Sequence, residues 1–503
     1  MWVMVMRCVF KHHVYLCVVS TALMAGLSLI TSHTSKAYAQ TPNCGSGSGG
    51  GVKVVDNVVG PIVCSSGETR ILSSTRGGSS EISIDMNRHS REEAAVTVTG
   101  PGTNITIMKS LKVINGKGKS GLPVIKVLDK GQLTLNQEVD VDGVTIKKEI
   151  VVDGENSSVT LNGVLKGFDG MEVKVSKGGM VVFEKGVTGI DGMEVGINGG
   201  GTVRLMKDVT FNNGSEAGIK IEGSGEASVI GVGKMVTMTV KGKGDGIQMD
   251  GDGGTASVVM LNIVGKGSGA GSTGKGVDMQ NGREMTLNMV NVSGFRVGVN
   301  AKNGTVKING ESTITVKDGG TGISMSGSGA TVKMMEGKIE GSGEGTGVQG
   351  MGGTGTVELT KVAIEGVKKG VDMQAGTLEM MGGTVTFTGA GSYGVRVENG
   401  ASAELTKVTI TGEGSGVKGK GVIMNGTKMT MMGVNISQVE KGVEVKKGTV
   451  NINMGEITFE SGSGSWGVHV QSGATANIMG ATIKGTSGQG TGLYVMAGTG
   501  VLV

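Results

Sequence analysis

The chain reads as an all-β protein, a right-handed parallel β-helix of about 17 turns, each of about 25 residues with three short strands. Three observations predict it. First, "KKGVDMQAGTLEMMGGTVTFTG" (368–389) holds three short apolar alternations separated by glycines: Val371 and Met373 flank Asp372, Leu378 and Met380 flank Glu379, and Val385 and Phe387 flank Thr386. Side chains on a strand alternate between faces, so each piece reads as a half-buried strand, too short to stand alone. Second, the unit recurs. Third, Gly supplies 97 of 503 residues against 4 prolines, which excludes collagen, while β-branched residues and Met return in register, which excludes a disordered Gly-rich tract.

The first strand of each turn opens on a glycine: Gly170, Gly192, Gly218, Gly246, Gly276, Gly298, Gly322, Gly347, Gly370, Gly394, Gly421, Gly442, Gly467 and Gly492. From 170 to 492 is 322 residues over 13 intervals, about 25 per turn. Weaker copies start near Val96, Ile125 and Ile150. Second strands read "GTVRL" (201–205), "GTVKI" (304–308), "GTVEL" (355–359), "GTLEM" (376–380) and "GTVNI" (448–452); third strands read "DVTF" (208–211), "TITV" (313–316), "KVTIT" (407–411) and "EITF" (456–459). Stacking each strand on its counterpart one turn away consumes the edges, and 17 rungs at ~4.8 Å make a rod of roughly 80 Å. A leucine-rich repeat would need an L-x-x-L-x-L pattern, and a propeller blade would need about 40 residues. The glycines are expected at corners, where a sharp turn needs positive φ. Met is frequent (31) and aromatics are few; Met249, Met279, Met325 and Met373 share the second inward position of the first strand and read as core filler rather than a metal-binding methionine box.

Residues 1–39 read as a secretory signal peptide. Arg7 and Lys11 precede the apolar stretch "VYLCVVSTALMAGLSLI" (14–30), and "AYAQ" offers a cut between Ala39 and Gln40; an uncleaved anchor is the alternative. Residues 40–94 read as an N-terminal cap and 95–503 as the β-helix. Cys8 and Cys17 leave with the signal, so Cys44 and Cys64, in an oxidising compartment, are expected to pair. Two cysteines without a nearby histidine supply half a zinc site. The net charge of +4, with both signs spread along the chain, gives no ground for nucleic acid as a partner. "KKG" at 368–370 and "KKG" at 446–448 read as solvated corners.

Parallel β-helices host pectin-cleaving enzymes, so catalytic groups must be sought. The paired aspartates and Gly-His-Gly of polygalacturonases are absent, and the mature chain holds only His89 and His469. Asp140 and Asp142 in "VDVDG" share a strand face in this reading, which is more often a polar face than an acid/base pair. Neither a Gly-Asp-Ser-Gly segment nor a G-x-S-x-G elbow occurs. "GKGDGIQMDGDGG" (242–254) partly resembles a calcium nonapeptide loop, without the tandem repetition such loops show. No catalytic residue, metal site or cofactor is therefore expected. The outward position of the first strand is more informative. Stacking should align Glu172, Glu194, Lys220, Gln248, Asp278, Asn300, Ser324, Gln349, Asp372, Arg396, Ile423, Glu444, His469 and Tyr494 into one exposed ladder, which serves either as a plain solvated face or as a docking face for a host protein.

The leader "MVMRCVFKHHVYLCVVSTALMAGLSLITSHTSKAYAQ", a Cys-bearing segment and a long Gly-rich β-helix together resemble the passenger domain of a bacterial type V autotransporter, the leader being similar to those of the Bartonella surface and secreted autotransporters. The resemblance implies a non-enzymatic virulence factor at the cell surface or outer membrane, or secreted, that binds host cells as adhesin or receptor agonist. An endothelial receptor would be among its partners. It also implies an outer-membrane translocator barrel of some 250–300 residues. The chain reaches Val503 within the repeats, so barrel strands are expected downstream, and an apolar terminal strand is expected to self-associate. The alternative function is a carbohydrate-active β-helix enzyme of the polysaccharide lyase or hydrolase type.

Overall fold

The structure, a computed structural model, describes residues 44, 51–65, 67–74, 80–88, 93–117, 121–187, 190–212, 214–267, 273–414, 419–471 and 473–502. The signal segment with Ala39 and Gln40, and His89, lie outside them. Residues 40–503 form one compact unit, all-β and built as a parallel β-helix. The first-strand ladder runs from Ile62–Cys64 through Val96–Thr99 to Thr491–Val495, every pairing parallel. The 17 turns expected from Val96 onward each contribute a strand to it. The second-strand ladder starts at Gly51–Val55 and ends at Thr499–Leu502. The third is split: Val58–Val59 to Leu165–Lys166 form a sheet of five strands, and Val209–Phe211 opens a second run. Between them, among the described residues, the bridges Val187–Val209 and Asp191–Asn212 hold the corner.

Stacking begins ahead of the residue 95 boundary. Thr69–Ser74 pairs with Asn104–Ile107 and Glu81–Asp85 with Ser110–Ile114, so the N-terminal segment contributes coil turns of its own. Cys44 and Cys64 are disulfide-bonded with Cα atoms 5.3 Å apart, and the buried Arg70 donates from Nη1 to the Cys44 carbonyl at 2.7 Å. This clamps the chain that precedes the first rungs.

One apolar core runs from Cys44 to Ile478. Along one inward row the register is Met249, Met279, Ala301, Met325, Gly350, Met373, Val397, Met424. Long thioethers spread over small neighbours: a Cβ on Gly350 would lie 2.6 Å from Met373 Cε. Full burial of each such side chain is worth about 1.5–3 kcal/mol.

The glycines opening the first strand have a different cause from the one expected. Gly170 and Gly192 have φ of 74° and 71°, but Gly218 and its successors in the series do not lie in the left-handed region. From Gly218 to Gly467 they are glycines because the third strand and the next turn crowd them: a Cβ on Gly370 would meet Gly394 O and Val385 Cγ1 at 2.3 Å, and one on Gly467 would meet Ile483 Cγ2 at 2.2 Å. Conversely, the left-handed corner between second and third strands is held largely by non-glycine residues at equivalent rungs, Met260, Met289, Glu311, Glu336, Lys361, Lys407 and Met454, with φ of 53° to 61°. Stacked backbone hydrogen bonds, such as Lys361 N–H to Met381 O and Lys407 N–H to Met432 O, hold them there.

Candidate functional site

The outward ladder of the first strand forms, with two changes. Its register runs Lys174, Gly196, Lys220, Gln248, Asp278, Asn300, Ser324, Gln349, Asp372, Arg396, Ile423, Glu444, His469, Tyr494. Glu172 and Glu194 pair with each other but stand on the neighbouring row, two residues back. The offset arises because their opening glycines turn with positive φ, so the strand starts later than elsewhere.

The second change is burial. Expected to face water, Asp278, Asn300, Ser324, Asp372, Ile423, Glu444 and His469 are each at most 8% exposed. A third outward row covers them. The register skips Gly370, pairing Lys369 with Tyr393 and then Val371 with Val395, so period two breaks at the opening glycine and the residue three places before the ladder also points outward. That row contains Asp245, Lys275, Lys369, Tyr393, Lys420, Lys441 and Trp466, and it was missed in the sequence for that reason.

The two rows are cross-linked. Lys275 Nζ donates to Asp278 Oδ2 at 2.7 Å and Asn300 Nδ2 to Asp278 Oδ1 at 2.7 Å, with Gln280 also donating to Oδ2. Arg396 grips Asp372 with two bonds of 2.8 Å. Lys420 Nζ donates to Glu444 Oε2 at 2.6 Å. Burial acts to raise the Glu444 carboxyl, but the Lys420 hydrogen bond and the charges of Lys420, Lys446 and Lys441 outweigh it and hold it below the usual range. Burial and the charge of Asp372 push the Tyr393 phenol far above its ordinary value. Burial also raises Asp245, helped by the charge of Asp278 and opposed by the Lys275 N–H.

Aromatic residues mark the C-terminal part of this face. The sequence has 4 Tyr and 2 Trp; with Trp2, Tyr15 and Tyr38 in the leader, the remainder are Tyr393, Tyr494 and Trp466, and all three lie on these two rows. All six Phe beyond the leader are core residues. Lys441 Nζ sits 4.5 Å from the Trp466 ring centroid, Trp466 and Tyr494 stack at 6.1 Å, and His469 touches both. Arg396 lies 4.7 Å over Tyr393. His469 is 5% exposed with neither ring nitrogen hydrogen-bonded, and its burial lowers its pKa. Scarcity of aromatics in the sequence was the signal that could have found this strip.

Toward the N-terminal end the face opens into a hollow of about 420 Å³ over Gly196. Lys174 and Lys220 stand on either side of it along the ladder; Glu172 and Glu194 flank one edge, Asn198 and Glu222 the other. Lys174 Nζ bonds Glu149 at 2.7 Å and Glu172 at 3.0 Å, and Lys220 Nζ bonds Glu194 at 3.1 Å and Glu216 at 2.7 Å. A hollow of about 720 Å³ on the third-strand side is edged by the Lys338 pairs with Glu340 and Glu365, and borders segments outside the described residues.

The remaining sequence candidates fall elsewhere. Asp140 ends a strand while Asp142 lies in the following turn and donates its N–H to Asp140 Oδ1 at 2.8 Å, so the two do not share a strand face; Lys166 holds the other Asp140 oxygen at 2.8 Å. Residues 242–254 are two corners around the strand Ile247–Asp250, and among the described residues no cluster of three His, Cys, Asp or Glu is set to hold a metal. Lys368 pairs with Glu344 at 3.2 Å and Lys446 with Glu444 at 3.7 Å. No helix among the described residues is long and apolar enough to cross a membrane.

Compared with known proteins, the chain matches no family model, no curated protein and no solved structure.

Proposed function

We propose that this chain is the passenger of an exported, autotransporter-like protein, displayed at the cell surface or released. In this reading it binds host cells, as adhesin or receptor agonist, through the outer face of its first-strand ladder. One observation carries the reading: every tyrosine and tryptophan beyond the leader lies on that face, Tyr494 exposed, Trp466 half-buried and Tyr393 buried beside Arg396. Tyr and Trp supply large contact area at low entropic cost and concentrate where proteins are bound. The charged groups beneath them are paired with one another, which gives a stiff, pre-organised surface.

The test is binding of purified residues 40–503 to endothelial cell membranes. Replacing Trp466 and Tyr494 together by Ala should abolish it, and Glu379→Lys with Glu404→Lys on the second-strand face should leave it intact. The opposite pattern, or no binding at all, would overturn the reading.

A second reading, a carbohydrate-active enzyme, is favoured by one observation. Asp245, whose Oδ1 accepts the Lys275 N–H at 2.7 Å, is raised by burial and by the neighbouring Asp278, an arrangement that general acids use. Hydrolysis or lyase activity on acidic polysaccharides, lost in Asp245→Asn, would establish it.

A further inference from the structure

Gly196 is a glycine that the fold does not require. Its φ lies outside the left-handed region, so any residue could adopt its backbone. A Cβ built there meets nothing nearer than Val173 O at 3.9 Å, an ordinary contact. The opening glycines contrast sharply: at Gly370 or Gly467 a Cβ would lie 2.2–2.3 Å from its neighbours. Yet every other rung of the ladder from Lys174 to Tyr494 carries a side chain, and strands disfavour glycine. Neither torsion nor packing explains the missing side chain. What it creates is the hollow.

The walls of that hollow are polar and already neutralised. Both lysines that bracket it are held by carboxylates, Lys174 by Glu149 and Glu172, Lys220 by Glu194 and Glu216. Lys177 at the rim pairs with Asp153 at 3.3 Å, and Glu222 has no ion-pair partner among the described residues, so every lysine lining the hollow is paired and no surplus positive charge awaits a phosphate, sulfate or uronate. Fixed ammonium and amide donors alternate with carboxylate oxygens that retain free lone pairs. A ligand that both donates and accepts at closely spaced positions fits such walls, and vicinal hydroxyls do so. The volume of about 420 Å³ falls within the range of small-molecule sites.

Resting on the reading of this face as the host-contact surface, we propose that the hollow over Gly196 binds an uncharged pyranose unit of a host-surface glycan. Its hydroxyls would accept from Lys174, Lys220 and Asn198 and donate to the Glu194 carboxylate. With no aromatic ring in the hollow, one sugar is held only weakly, at millimolar strength, and affinity for a cell surface comes from many copies.

The test titrates residues 40–503 with D-galactose, D-mannose, D-glucose and N-acetyl-D-glucosamine, read by calorimetry and saturation-transfer NMR. At least one sugar should bind, and Gly196→Gln, which fills the hollow, should weaken it by about tenfold or more. Gly196→Ala should retain most of the binding, and neither variant should melt below the native chain. Absence of binding by all four sugars, or equal binding by Gly196→Gln, would overturn the proposal. Cell binding without sugar binding sinks the hollow alone; sugar binding without cell binding sinks the wider contact surface alone.

Discussion

Arg396 reaches back one full turn to Asp372, with Nε 2.8 Å from Oδ1 and Nη2 2.8 Å from Oδ2, and the carboxylate it holds is 1% exposed. A side chain that alternation places in water is instead the buried half of a bidentate pair. Removing one partner of a buried pair leaves a charge unpaired in a dry site, which costs about 3–5 kcal/mol. Asp372→Ala should therefore lower the unfolding free energy by an amount in the lower part of that range, because Arg396 keeps partial access to water. Asp372→Lys should cost more, since it sets two cations face to face. Urea melts of both variants, with an unchanged midpoint counting against the geometry, provide the check.

The strand order and the inward rows from Val96 onward were legible in the sequence, because they rest on repeating alternation between glycines; the rungs before residue 95 and the break in the third ladder were not. The outer face of the first strand was legible only in part. Asp372 and Arg396 were placed on the correct rows, but Tyr393 and Lys420 were not, because the backbone irregularity at Gly394 and Gly421 turns a three-residue step into a same-face relationship. Period two cannot show that. Nor could sequence distinguish Gly196, a glycine with open space, from Gly370, a glycine crowded by Val385. The difference lies in a contact with another strand.

That distinction predicts opposite outcomes for two alanine substitutions. Gly370→Ala drives a methyl into the Gly394 carbonyl and Val385, neither of which can yield, and overpacking of this kind costs about 1–3 kcal/mol. Gly196→Ala meets no obstacle and restricts the unfolded chain, which stabilises by about 0.4–1 kcal/mol. Gly350→Ala should fall between them, because its closest obstacle is the flexible end of Met373 and the one backbone contact, Ala375 O, is milder at 3.1 Å. Thermal melts of the three variants should rank in that order.

His469 and Glu444 predict the acid limb of stability. His469 is lowered by burial from 6.5, so the unfolded chain binds its proton first as pH falls. Its contribution is complete above the unfolded value and is lost as pH falls through the folded one. Glu444 is likewise held below 4.5, net of burial, by Lys420, and its contribution is lost at still lower pH. The lysines Lys441 and Lys420 oppose protonation of His469 and Glu444 favours it. Denaturation midpoints measured from pH 7 to pH 5 should decline in the native chain and flatten in His469→Gln, with His89→Gln as the control. A slope unchanged by His469→Gln would show that this ring titrates as it does in the unfolded chain.

Reducing the disulfide should loosen one end of the coil and leave the rest intact. Each turn of a solenoid contacts only its neighbours, so a local constraint stabilises local rungs. The bond joins residues 20 apart and pins the residue whose carbonyl accepts from Arg70, a side chain 3% exposed in the first rungs. Closing a loop of that size is worth about 3 kcal/mol in the chain-entropy model. Among the described strands Gly51–Val55 pairs only with Thr69–Ser74, so little else holds it once the link is cut. Cys44→Ser should therefore speed amide exchange across 51–74, with an effect that fades over the following turns and leaves Val371, Val395 and their neighbours as protected as before. Uniform loss of protection along the whole chain would mean that the coil unfolds as a single cooperative unit and that the link acts on all of it; no change at 51–74 would mean that the rungs hold without it.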